Sequence, residues 1–413
     1  MKTKDSGWLV VLAVMLMLAT TAIVRAPAQT FTVLYSFSGS DGSGPSGSLV
    51  QDAAGNLYGA TDSGGTYSYG VAFKLDTSNN ETVLFNFSPG NSRGANPAYG
   101  LIIDKEGNLY GPAEAGSPKG GGLLWELSPN RKEKEKVLWD FGGCLGCRKP
   151  GVAQGRLLRD ASGNLYGVTA LGGVKGKGPE CEFYGCGVVY KLDTAGKLHV
   201  LHAFTGGKDG SSPYGALLQD AKGNLYGAAL TGGQSCPQFS TLGCGTVFKI
   251  APNGKFTVLH TFTGGKDGAS SYGGLVMDNA GNLYGTALLG GNSNCYDGCG
   301  TLFRIDANGK FKVLYTFTNE PAGYPFGNLV MDDKGNLYGE TGGLNSNSYY
   351  GTVFELNSAG KLKVLHVLNG SPDGADPVGG LIRDSAGNLY GVAYQGGSGC
   401  FDVGCGTVFK VTP

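Results

Sequence analysis

Several things are scarce in this chain. Histidine occurs four times in 413 residues, and none lies in a loop that carries cysteine. Zinc asks for four nitrogen or sulfur ligands, so two sulfurs per loop without imidazole argue against a metal site. There is no surplus of basic charge: 32 lysines and arginines face 32 aspartates and glutamates. That removes the electrostatic footprint of a nucleic-acid partner. Beyond the first 28 residues no apolar run is long enough to span a membrane as a helix. A 3.6-residue periodicity is also missing, and the apolar runs are only five to seven residues long.

What is present is a phrase repeated seven times. D-x-x-G-N-L-Y-G begins at Asp52, Asp104, Asp160, Asp220, Asp278, Asp332 and Asp384. Its first glycines, from Gly55 to Gly387, are separated by 52, 56, 60, 58, 54 and 52 residues. A period of this size denotes a repeat architecture. In the fourth copy, GALLQD (215–220), NLYGAAL (224–230), GTVFKI (245–250) and FTVLHTF (256–262) are short runs rich in β-branched and aromatic residues. Turn residues bound each run, so they read as strands. The Asp-x-x-Gly step reads as a tight hairpin, with Asp capping its own turn and Gly taking the left-handed conformation. Leu and Tyr of N-L-Y-G point to opposite faces of one strand, as suits a sheet covered on both sides. Gly is abundant, at 75 residues, but it sits mostly in turns and loops. The expectation is an all-β, seven-bladed β-propeller with four-stranded blades.

The ends of the chain support closure. Blade 7 has GGLIRD (379–384), NLYGVA (388–393) and GTVFKV (406–411), and Pro413 follows without a fourth strand. The surplus copy, FTVLYSF (31–37), precedes the first GSLVQD (47–52). The N-terminal strand is therefore expected to complete blade 7 and protect the sheet edges. An open solenoid would need no such complementarity. Residues 29–413 are expected to be this single domain, a monomer. Residues 1–28 read as a signal peptide: Lys2 and Lys4, an apolar run from Trp8 to Val24, then Ala26-Pro27-Ala28. An uncleaved anchor is the competing reading. Without residues 1–28 the chain holds 29 basic and 31 acidic residues. The expected location is secreted, extracellular or periplasmic, with no membrane contact after cleavage.

The segments GTVFKI (245–250), TVLHTF (257–262), Asp209 to Gly215 and Asp220 to Gly227 together resemble the GloVer (Gloeo/Verruco) tandem-repeat family. The resemblance covers residues 31–413. It implies a secreted bacterial repeat protein and carries no catalytic residues with it. Members often bear a C-terminal surface anchor, for which the residues up to Pro413 show no motif. The repeat is more loosely similar to NHL-type and streptogramin-lyase-type propellers, whose functional residues cannot be placed on these positions.

Ten cysteines form five close pairs: Cys144/Cys147, Cys181/Cys186, Cys236/Cys244, Cys295/Cys299 and Cys400/Cys405. An export signal, an even count and local pairing read as disulfides. His202, His260 and His366 occupy a repeat position held elsewhere by Tyr35, Phe85, Trp139 and Tyr315, so it reads as a packing position. The seven aspartates read as turn caps, and the RKEKEK run (131–136) as a solvated turn.

Connections between strands one and two, and three and four, are short. The others are long, Gly-rich and individually different, so one face of the ring is trimmed and the other carries the variable loops, where function concentrates. Tyr214, Tyr272 and Phe326 stand directly before the glycine that opens the innermost strand of blades 4, 5 and 6, and Tyr99 lies one residue further along in blade 2. Lys208, Asp209, Lys266 and Asp267 share two of those loops. These eight residues are the candidate ligand contacts, because aromatic rings beside polar loops suit a flat polar ligand such as a sugar. The rings could equally plug their own blades. No catalytic residue or cofactor is expected. The innermost strands offer Arg156, Arg159, Arg383 and Asn328 but no His or Glu, which favours a binding protein for a glycan or an extracellular protein. The alternative is a propeller lyase or hydrolase acting on polysaccharide or lactone, which would need acid, base or metal groups converging in one cleft.

Overall fold

The computed structural model describes residues 29–88, 94–117, 120–129, 135–142, 151, 153–176, 179–236, 243–292, 295, 297–318, 322–342, 350–400 and 404–413. Each repeat is an antiparallel sheet, and seven such sheets form the ring. The repeated phrase builds the hairpin between strands one and two. In blade 1 the Asp52 carboxylate accepts the amides of Ala54 and Asn56, both at 2.9 Å, the Asn56 side-chain amide at 2.7 Å and the Tyr58 hydroxyl at 3.0 Å. Gly55 takes φ 89° and donates its N–H to the Asp52 carbonyl. The Tyr hydroxyl and the Asn side chain return to the same aspartate in all seven blades. Burial alone would raise these carboxyls, but the hydrogen bonds outweigh it and hold them below the ordinary value.

Packing between blades rests on a ring pair that the repeat phrase does not include. The phenylalanine closing each fourth strand meets the aromatic residue of the next blade's third strand. Phe37 reaches Phe73 at 5.0 Å, Phe87 reaches Trp125 at 5.2 Å and Phe204 reaches Phe248 at 5.4 Å. All six are fully buried. Edge-on rings of this kind add to the burial of their large apolar areas. Between blades 6 and 7, Leu368 replaces the first ring and shares a core with Phe409.

The N-terminal strand, Thr30–Ser36, pairs antiparallel with Thr407–Thr412, and blade 7 runs in the order Thr30–Ser36, Thr407–Thr412, Leu389–Ala393, Ile382–Arg383. It closes the ring as expected. Phe31 stacks on Phe409 within blade 7, while Phe37 enters the core of blade 1.

The innermost strands are shorter or more kinked than their sequences suggest. In blades 1, 3 and 6 the register breaks between Ser46 and Val50, Gln154 and Leu158, and Phe326 and Val330. The cause is a glycine in the left-handed region: Gly47 at φ 74°, Gly155 at 70° and Gly327 at 74°. These glycines also meet the neighbouring blade with no room for a side chain. A Cβ on Gly47 would lie 1.8 Å from the Gly100 nitrogen, and one on Gly273 would lie 2.0 Å from the Gly327 carbonyl oxygen. A girdle of backbone thus narrows the central channel.

Cys181–Cys186, Cys236–Cys244, Cys295–Cys299 and Cys400–Cys405 are disulfides, and no cysteine among the described residues is free. Cys144 and Cys147 lie outside the described residues. So do residues 131–134 of the charge run, whose last two residues, Glu135 and Lys136, open the fourth strand of blade 2. No helix among the described residues is long and apolar enough to cross a membrane.

Candidate functional site

Above the girdle, on the long-loop face, the channel mouth widens into a cavity of about 210 Å³. Tyr99, Tyr214, Tyr272 and Phe326 all line it. They form one continuous arc. Tyr99 meets Tyr214 edge-on at 5.3 Å, Tyr214 lies 4.3 Å from Tyr272, and Tyr272 lies 4.6 Å from Phe326. The rings come from blades 2, 4, 5 and 6, remain partly exposed and contact one another.

Tyr99 has an unusual backbone. It occupies the position filled by Gly47, Gly155 and Gly327 in other blades and adopts the same left-handed φ, 73°. A bulky residue there carries conformational strain of roughly 1 kcal/mol or more. The strain places its hydroxyl against two partners: it donates to the Glu114 carboxylate and lies 2.9 Å from the Tyr214 hydroxyl. Burial, followed by the neighbouring Tyr214 and Glu114, pushes the Tyr99 phenol well above its ordinary value.

Tyr394 lines the cavity and donates to Asp62 at 2.6 Å. Burial raises the Asp62 carboxyl, against hydrogen bonds from Tyr394 and Ser63. Asp62, Glu114 and Tyr394 hold one repeat position, three residues after the last glycine of N-L-Y-G, which is Ala170, Leu230, Leu288 and Gly342 in blades 3 to 6. That switch from apolar to polar within one column is the signal by which the sequence marks them. The cavity is thus lined by the four rings together with Tyr394, while Tyr99 and Tyr394 are each anchored on a carboxylate that is not itself part of the lining, Glu114 and Asp62.

Lys208, Asp209, Lys266 and Asp267 do not join this cavity. Asp209 accepts the Thr205 amide at 3.0 Å and lies 3.2 Å from His202 Nε2; Asp267 does the same with Thr263 and His260, at 3.0 and 3.1 Å. Both aspartates clamp the loop to the outermost strand, and both lysines are exposed. The histidines pack as their repeat position predicts, stacked at 3.7 Å on Phe256, Phe311 and Phe31 of the adjacent blade. Of the four channel residues read from the innermost strands, Asn328 and Arg156 line the upper cavity. Arg159 and Arg383 line a separate hollow of about 630 Å³ on the trimmed face, which Arg156 also reaches. No cluster of three metal-ligating side chains occurs among the described residues.

The Gloeobacter/Verrucomicrobia repeat matches residues 20–179, 151–349 and 295–413. The chain belongs to this family. No curated protein matches its sequence. Among solved structures, virginiamycin B lyase from Staphylococcus aureus superposes with a TM-score of 0.60 at 11% identity, over 93% of this chain and 99% of that one. The extracellular domain of BT4673 from B. thetaiotaomicron gives 0.55 at 11% identity, over 92% of this chain and 39% of that one. At such identities the likeness is one of fold. The family's repeat phrase accounts for the hairpins of the ring, whereas the residues of the cavity lie in the loops and strand ends that differ from blade to blade.

Proposed function

We propose that this propeller is an exported binding protein that holds a polar, ring-shaped ligand in the channel mouth of its long-loop face. The supporting observation is the continuous arc of Tyr99, Tyr214, Tyr272 and Phe326 around a cavity that Tyr394 and Asn328 also line. Ring faces beside hydrogen-bonding side chains suit a saccharide, whose C–H face stacks while its hydroxyls hydrogen-bond. At about 210 Å³ the cavity takes one sugar ring rather than several. The four disulfides accord with an oxidising compartment outside the cytoplasm. The test is a glycan array followed by calorimetry on wild type and on Tyr214→Ala, Tyr272→Ala and Phe326→Ala. Each change should weaken binding by roughly 1 to 3 kcal/mol while the protein stays folded. Undiminished binding by a folded triple variant would move the site elsewhere, and unfolding would make the rings core plugs.

The second reading, an enzyme acting on polysaccharide or lactone, draws on the hydroxyl chain from Tyr214 through Tyr99 to Glu114. A cavity-facing phenol linked to a carboxylate is one form a general acid–base pair can take. Product formation abolished by Tyr99→Phe with binding intact would favour it.

A further inference from the structure

The guanidinium of Arg156 sits where the upper cavity meets the lower hollow, and it lines both. The equivalent positions of the other six blades hold Ser48, Gly100, Ala216, Gly274, Asn328 and Gly380. Among these seven equivalent positions Arg156 alone bears a charged side chain. Arg156 Nε donates to the Leu101 carbonyl at 3.0 Å, which orients the group. Its two terminal nitrogens have no partner among the described residues. None of the ion pairs found there includes it.

Asp62, Glu114 and Glu340 are each engaged elsewhere. Glu114 accepts from Tyr99, Asp62 from Tyr394, and Glu340 from the Gly380 amide. A guanidinium offers five N–H donors in a planar fork that matches a carboxylate in two-point geometry. Holding such a group inside a channel without a counter-charge is costly, and an incoming anion offsets that cost.

We infer that Arg156 is the anion subsite of the cavity and that the ligand is a sugar acid, a hydroxylated ring bearing one carboxylate. This deepens the saccharide-binding reading and rests on it. The ring stacks on the arc, its hydroxyls meet Tyr394 and Asn328 in the lining, and its carboxylate reaches the Arg156 fork at the throat. A phosphate or sulfate would satisfy Arg156 equally. In a cavity of about 210 Å³ one ring leaves room for only a small anionic end, and a carboxylate is the smallest that matches the fork in two-point geometry.

Calorimetry with glucuronate, glucose and glucuronate methyl ester tests this on the full chain. Wild type should bind glucuronate about tenfold to a hundredfold more tightly than the two neutral sugars, the range of a charge-assisted hydrogen-bonded pair. Arg156→Ala, which copies Ala216 of blade 4, should remove that preference, so that glucuronate binds no more tightly than the neutral sugars. Arg156→Lys should keep part of it. Equal binding of all three sugars by wild type, with loss in the Tyr214→Ala variant, would overturn the anion subsite alone. So would an equal drop for all three in Arg156→Ala. If no sugar binds wild type at all, the saccharide reading falls together with this one.

Discussion

Replacing Glu340 with Gln should make the propeller more stable at alkaline pH and leave it unchanged in acid. Glu340 follows the last glycine of the blade-6 repeat phrase, where blades 3 and 7 carry Val168 and Val392. It is 1% exposed, in the seam between blades 6 and 7. One carboxyl oxygen accepts the Gly380 amide at 2.8 Å, and the other has no partner among the described residues. That second oxygen lies over Gly391, where an added Cβ would come within 2.6 Å of it, so the side chain has little room to turn toward water. Burial, partly offset by the Gly380 hydrogen bond, pushes the carboxyl up to about 8 from its ordinary 4.5. The folded state therefore binds this proton more tightly than the unfolded state does. The penalty is absent below pH 4.5, grows as pH rises, and levels off above about 8. At about 1.4 kcal/mol per pH unit it amounts to at most roughly 5 kcal/mol. Urea unfolding of wild type and Glu340→Gln at intervals from pH 4.5 to 8.5 isolates this group, because every other titration is common to both proteins. The stability difference should be near zero at the acid end and several kcal/mol in favour of Gln at the alkaline end. Glu340→Val, the residue of two other blades, should behave alike. A difference that does not vary with pH, or that shrinks as pH rises, would refute the reasoning.

Other tests bear on the architecture. Deleting residues 29–37 removes the strand paired with Thr407–Thr412 and takes Phe31 and Phe37 from two cores; the melting temperature should fall by many degrees, and an unchanged melt would contradict closure. Thiol titration of protein from an oxidising compartment should find no free cysteine, and peptide mapping should link Cys144 to Cys147 as well as the four observed pairs. Asp220→Ala removes an acceptor of the Lys222 and Asn224 amides, the Asn224 side chain and the Tyr226 hydroxyl, and should cost roughly 1.5 to 3 kcal/mol at neutral pH. Because the Asp220 carboxyl is held low in the fold, the part of that cost that depends on its charge should be full above its ordinary 3.8 and be lost as pH falls through the lowered folded value, as acid unfolding curves would reveal.

The repeat itself was legible without coordinates, because a hairpin is a local object. Asp, Gly, Asn and Tyr within seven residues satisfy one another, so the same segment yields the same turn in every blade. Ring closure was legible too, since a missing strand at one end matched a surplus strand at the other. The four rings of the cavity could be picked out by their place before the innermost strands, but not the residues facing them. Tyr394 meets that cavity only when blade 7 curves round towards blades 4 to 6, with Asp62 of blade 1 holding its hydroxyl. The Lys–Asp pairs of the loops looked equally near the mouth, yet Asp209 and Asp267 turn outward to His202 and His260, seven residues back on the outermost strand. Spacing along one chain defines which residues share a strand or a turn. Which of seven loops lean inward, and whether a lone arginine or glutamate ends beside a counter-charge or without one, depends on contacts between blades more than 50 residues apart, and only the closed ring brings those into being.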